Sequence, residues 1–181
     1  MYGIVNKAIE ELVIANFGED KWELIKQKSD IDIDYFISTE PYDDSITYKL
    51  AQTISSEMKM DVSEVLIKFG EWWILKTGKE KYGSLLSTGG KSLREFLLHL
   101  PDFHTRVMLI YPKLTPPEFQ TIVLSENEVE IHYHSKRIGL QEFVRGLLQG
   151  LSKLYEIKTD ITLIQDRTSG ASHEIFLVKW N

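Results

Sequence analysis

At about 150 residues per domain, a chain of 181 residues is one compact domain, and at this length about 70% of the unfolded surface is buried without staples. Its 43% apolar and 27% charged residues exclude a disordered or fibrous chain, and a net charge of −6 with scattered Lys and Arg gives no nucleic-acid footprint. The chain has no cysteine, which excludes disulfides, iron–sulfur clusters, thiolate or thioether attachment of haem, and cysteine-type zinc sites. The longest wholly apolar run, Val107 to Tyr111, is far too short for a bilayer span, and the N-terminus lacks the basic-then-apolar order of a secretory signal. A cytoplasmic protein without a membrane span is expected.

Ile4, Ala8, Leu12 and Ala15 recur at helical spacing, and Gly18 ends that helix. Asp20-x-x-Glu23 has the form of a capping box and predicts a short helix through Lys28. Residues 30–44 are acidic and irregular, and a helix follows over about 45–58. Asp61-x-x-Glu64 opens another, whose apolar face carries Val65, Leu66, Phe69, Trp72 and Trp73. A loop with Gly83, Gly89 and Gly90 leads to a third capping box, Ser92-x-x-Glu95. Pro101 interrupts the helix that starts there and suits the first turn of a new one running to about Tyr111. Beyond Pro112 the period changes to two. Phe119–Leu124 and Glu128–Lys136 read as a hairpin, followed by an apolar helix over about 140–154. Strands Ile161–Gln165 and Glu174–Trp180 flank a polar turn at Gly170. The fold class is α+β: a helical N-terminal lobe joined without a linker to a lobe of antiparallel strands with a helix.

Several motifs fail on their chemistry. Gly90-Lys91-Ser92 resembles the end of a phosphate loop, but Leu85 stands where that motif needs glycine and no strand precedes it. Asp30, Asp32 and Asp34 resemble a calcium loop, but Tyr35 occupies the sharp turn and Pro41 replaces the closing Glu. His132 and His134 share one strand face and can grip a metal, yet no third ligand stands at an obvious spacing, and exposed strand residues are the plainer alternative. Gly146-x-x-x-Gly150 lets a strand or a flat ligand approach a helix backbone. No Ser/His/Asp or paired-carboxylate arrangement points to catalysis, so a non-enzymatic protein is expected.

Two features carry more chemistry. His104 lies on a stripe with Leu97, Leu100, Met108 and Tyr111, so its ring points into an apolar interior. It is either a core histidine with one hydrogen-bond partner or a neutral axial ligand to a haem iron, the natural choice where no cysteine competes. On a strand, Tyr133-x-Ser135-x-Arg137 puts two hydroxyls and a guanidinium on one face. That face is either an ordinary polar one or a clamp for paired carboxylates, which arginine binds bidentately.

His104 followed thirteen positions later by Pro117 in Leu114-Thr115-Pro116-Pro117, then Tyr133-x-Ser135-x-Arg137, is a specific combination. Together with the opening Met1-Tyr2-Gly3-Ile4-Val5-Asn6, the segment Phe69-Gly70-Glu71-Trp72-Trp73 and the Gly146-Leu147-Leu148 helix, it resembles the H-NOX domains over the whole chain. These are the haem-based nitric oxide/oxygen-binding family that includes the sensor region of soluble guanylate cyclase. The resemblance implies a single domain over residues 1–181, with a helical lobe over about 1–60, a haem-binding lobe over about 61–181 and non-covalent haem b between them. It implies that His104 is the iron ligand, that Tyr133, Ser135 and Arg137 hold the propionates, and that Pro117 bends the porphyrin. Ile4, Leu147, Phe143, Trp73 and Met108 are then expected to line the pocket.

In oxygen-binding members of that family a distal-helix tyrosine donates to bound O₂. The matching position here is Phe143, which cannot donate, and no tyrosine occurs between Ile138 and Leu154. The resemblance thus implies a sensor that binds NO and CO and excludes O₂, with the Trp73 indole as a competing donor. It also implies a signal made by breaking the iron–His104 bond and rotating the lobes, passed in trans to a histidine kinase or diguanylate cyclase as in stand-alone bacterial members. Two alternatives stand beside it. A haem protein that binds O₂ reversibly or does redox chemistry would show a stable spectrum in air, and a haem-free interaction module would not reconstitute through His104.

Overall fold

Glycine corners and side-chain caps divide the N-terminal part into helices in this computed structural model, which describes residues 1–110 and 115–181. Helix α1 (Gly3–Phe17) ends at Gly18, whose φ of 85° turns the chain straight into α2 (Glu19–Lys28). The immediate restart places Asp20 inside the first turn, so the expected Asp20/Glu23 capping box does not form, and Glu23 pairs with Lys26 at 2.9 Å instead. Later helices do carry side-chain caps. Asp43 accepts the Ser45 N–H at 2.8 Å at the head of α3 (Asp44–Met58), and Asp61 accepts the Ser63 N–H at 2.8 Å at the head of α4 (Val62–Trp72).

Past Trp72 the helix widens into a π-helical segment, Trp73–Gly78, and continues as α5 (Lys79–Ser87) with a kink at Tyr82. Gly83 is therefore helical, not part of a loop. Burial of Leu86 nearby outweighs the low helix propensity of glycine. At α6 (Leu93–Leu98), Ser92 Oγ accepts the Glu95 N–H at 3.2 Å, while the Glu95 carboxylate accepts from Lys91, one residue before the cap. Pro101 sits in the first turn of α7 (Leu100–Ile110). Tyr111, expected as the end of that helix, lies outside the described residues, as do Pro112 and Leu114.

Strands β1 (Glu118–Ser125), β2 (Glu128–His134), β3 (Thr159–Gln165) and β4 (Glu174–Trp180) form an antiparallel sheet in the order β1-β2-β4-β3, with α8 (Gln141–Leu154) between β2 and β3 in sequence. Val129, Ile131 and Tyr133 of β2 stand opposite Val178, Phe176 and Glu174 of β4 on one buried face. That face packs on Val144, Leu148 and Leu151 of α8 and on Phe96 and Leu97 of α6. A second core joins α1, α2 and α3 to Val65 and Phe69 of α4. Helix α4 thus packs on the helical core on one side and on α8 on the other.

The Gly146-x-x-x-Gly150 stripe admits a helix, where a strand or flat ligand was expected. A Cβ at Gly146 would stand 2.2 Å from the Ile67 carbonyl oxygen, and one at Gly70 would stand 2.3 Å from that of Phe143, so α4 and α8 cross with backbones in contact. Gly146→Ala should therefore force the helices apart at a cost of about 3 kcal/mol and lower Tm by about 6–12 °C in thermal unfolding, whereas Gly170→Ala, with open space around it, should pay only for its left-handed backbone.

Candidate functional site

Between α7, α8, α1 and the first two strands the packing leaves two adjoining cavities of about 190 and 220 Å³. Val5, Trp73, His104, Phe119, Val144 and Leu147 line both, so they form one slot. Ile4 lines the inner part, and Pro117, Tyr133, Arg137 and Phe143 line the outer. The slot thereby gathers side chains that are more than 130 positions apart in sequence (Ile4 to Leu147).

Two of the expected residues stand elsewhere. Met108 is 38% exposed and does not line the slot; Val107, on the other flank of His104, takes that place. The rotation of α7 against Phe119 decides which flank faces inward. Ser135 is not on the slot wall; its hydroxyl accepts the Arg137 N–H instead.

His104 has its ring between Phe103 and Phe119, with centroids 5.8 and 4.8 Å away. Its Nδ1–H donates to the Leu100 carbonyl one helical turn back, at 3.2 Å. That bond fixes the tautomer, leaving the Nε2 lone pair free at the far end of the ring. Desolvation pushes the His104 pKa below the usual histidine value, only partly opposed by the Leu100 bond, so the ring is a neutral base. An imidazole in this state is suited to ligate a metal and poorly suited to carry a proton.

The outer end is polar. Strand β2 stops at His134, so Ser135 and Arg137 lie in the following loop, not on the strand face expected for them. The cause is local: Ser135 Oγ accepts the Arg137 N–H at 3.0 Å, taking it away from a strand ladder. Arg137 then reaches across the mouth, donating from Nε to Asp44 at 2.8 Å and from Nη1 to the Thr115 carbonyl at 3.0 Å. Its Nη2 has no partner among the described residues. Burial would raise the Asp44 pKa, but the bonds from the Met1 amino group and Arg137 prevail and hold the carboxyl below the usual range. Burial also pushes the Tyr133 phenol up, so it stays a neutral donor.

Sequence reasoning missed the support beneath this mouth. Arg167 donates from Nε to Glu174 at 2.7 Å, from Nη1 to the Ser135 carbonyl at 2.6 Å and from Nη2 to the Arg137 carbonyl at 2.8 Å. It missed Tyr2 and Tyr82 as well, which line the inner cavity. The signal for Glu174 was present, since it shares the inward phase of Phe176 and Val178 and a carboxylate there needs a cation. Phe143, also on the slot wall, stacks on Phe69 at 4.7 Å.

The comparisons agree with this geometry. Residues 2–163 match the family model described as Haem-NO-binding. Among curated proteins, the chain is 25% identical over 183 residues to soluble guanylate cyclase gcy-31 of Caenorhabditis elegans, covering 100% of this chain and 26% of that protein. It is 28% identical over 178 residues to gcy-32 of the same organism, covering 96% and 26%. The chain thus spans about a quarter of the length of these relatives. Among solved structures, an H-NOX protein from S. oneidensis in the Fe(II)NO ligation state superposes with a TM-score of 0.91 at 21% identity, covering 100% of this chain and 99% of that one. A point mutant of the Fe(II) unliganded H-NOX protein from K. algicida does so at 0.88 and 24%, covering 100% and 97%. A whole-chain fold match, a family model over nearly the full length and a slot walled by a neutral histidine have one common explanation: this chain belongs to the Haem-NO-binding, or H-NOX, family of haem-binding gas-sensor domains.

Proposed function

We propose that the chain is a cytoplasmic sensor that holds non-covalent haem b in the slot, binds NO and CO and excludes O₂. The observation that carries this is His104: a base with its only N–H spent on Leu100, set in an apolar slot whose mouth presents an arginine. The donor set fits the group, since a single imidazole serves the iron, the apolar wall suits the macrocycle, and Arg137 and Tyr133, with Ser135 holding the Arg137 backbone, suit two carboxylates. Bound ferrous haem supplies an open iron position for a diatomic ligand.

The chain's own residues do the rest. Leu100 orients His104, Pro117 would bear on a bound haem from the outer cavity, and Ile4, Trp73, Phe143 and Leu147 would keep water from the slot. His104 would tie α7 to a bound haem, and without that tie α7 would be free to move against α8 and β1 and to rotate the helical lobe on the sheet lobe. We assign the receiver of that motion to a separate protein, a histidine kinase or a diguanylate cyclase.

The ultraviolet–visible spectrum of the reduced protein tests the ligand selectivity. Addition of NO or CO should shift the Soret band, and air should leave no stable oxygenated spectrum. A stable spectrum in air would select the second reading, reversible O₂ binding, which the Trp73 indole on the slot wall favours.

The mouth gives a separate expectation. Arg137→Ala removes a charge-assisted partner of a carboxylate and should speed haem loss by about 30-fold, or about 2 kcal/mol. Asp44→Asn weakens the competitor for the Arg137 Nε–H and should slow it. The rate of haem transfer to an excess of apo-acceptor measures both, and equal rates in Arg137→Ala and the parent would place the clamp elsewhere.

A further inference from the structure

The outer face of the sheet, turned away from the slot, brings together three histidines that the gas-sensing function leaves unused. On β2 the phase opposite Val129, Ile131 and Tyr133 carries Glu128, Glu130, His132 and His134. β4 runs antiparallel beside it, with His132 opposite Ile175 and Tyr133 opposite Glu174, so one further step of the register brings His173 next to His134. The rings of His134 and His173 stack at 4.0 Å, and those of His132 and His173 lie 5.1 Å apart. One nitrogen from each of the three lies within 4.8 Å of the others.

The hydrogen bonds already resemble half of a coordination shell. His132 Nε2 lies 3.2 Å from Glu130 Oε2, and because a carboxylate only accepts, Nε2 carries the proton and Nδ1 the lone pair. His132 Nδ1 therefore accepts from His173 Nε2–H at 2.8 Å, and His173 Nδ1 accepts from the Ser172 hydroxyl at 2.9 Å. A carboxylate behind an imidazole whose other nitrogen faces a cation is the usual outer support of a histidine ligand. Glu118, opposite His134 in the β1–β2 register, adds a second carboxylate to this face.

We propose that His132, His134 and His173 form a surface site for one divalent transition-metal ion, zinc foremost, with His132 Nδ1 and His173 Nε2 as ligands and His134 as the third. The ion replaces the proton now shared by His132 and His173. Two bonds of about 2.05 Å at a tetrahedral angle need nitrogens about 3.3 Å apart, so the 2.8 Å pair opens by about half an ångström. The His173 proton moves to Nδ1, and the Ser172 hydroxyl turns from donor to acceptor. Three imidazoles and no thiolate suit Zn²⁺, Ni²⁺ or Cu²⁺ and do not suit Ca²⁺ or Mg²⁺.

Equilibrium dialysis of the untagged, haem-loaded protein against ZnCl₂, with bound metal counted by elemental analysis, tests the site. One equivalent should bind, and Tm should rise with zinc concentration. His134→Ala and His173→Ala, whose metal-free Tm serves as the folding control, should each weaken binding by about tenfold or more while leaving the reduced haem spectrum unchanged. Wild-type affinity in either variant, or no more zinc on the parent than on the triple His132→Ala/His134→Ala/His173→Ala variant, would overturn the proposal.

Discussion

Reduced His104→Gly should lose the parent Soret band, and millimolar imidazole should bring it back. Among the described residues of the slot wall, the substitution removes the one imidazole, whose N–H is committed to Leu100 and whose other ring nitrogen keeps its lone pair. The space it vacates is bounded by the apolar rings of Phe103, edge-on at 5.8 Å, and Phe119, tilted at 4.8 Å, which suit a free imidazole. The glycine itself costs α7 about 1 kcal/mol of helix propensity, so His104→Ala is the control that keeps the helix and loses the ligand. Both variants should respond to imidazole. An unchanged band, indifferent to imidazole, would make His104 a core residue and place the axial ligand elsewhere.

Much of this site was legible locally. The helical stripe behind His104 predicted an inward-facing ring, which follows from residue type and period alone; whether that ring is a core histidine or an axial base came only with the resemblance to the H-NOX pattern. What failed were features set by how elements meet. Met108 and Val107 flank His104 almost symmetrically on a helix, and only the seating of α7 on β1 turns Val107 inward. Ser135 and Arg137 keep strand alternation in sequence, yet one hydroxyl bond to the Arg137 N–H ends the strand before them. The small-residue stripe at Gly146 announced close approach correctly but not the partner, since α4 lies 70 to 80 residues earlier. His173 joins His132 across 41 positions through antiparallel register, which no spacing rule displays. The Asp44–Arg137 pair, 93 positions apart, was equally hidden.

Arg167→Ala should destabilise the fold more than any clamp substitution. Glu174 is 1% exposed, and Arg167 supplies its ion pair at 2.7 Å; its Oε2 has no partner among the described residues. Removing the arginine strands a buried carboxylate, which costs about 3–5 kcal/mol and, for a domain of this size, about 6–20 °C of Tm. The same side chain holds the Ser135 and Arg137 carbonyls, so haem retention should fall as well. Adding Glu174→Gln separates the two effects. The amide removes the stranded charge and should recover much of the lost stability, but it cannot reach the two carbonyls of the 135–137 loop. Recovered Tm with haem loss still fast would make Arg167 a positioning residue for the mouth. Recovery of both together would confine Arg167 to neutralising Glu174, and the loop would then be held by the Ser135 turn and the Asp44 pair alone.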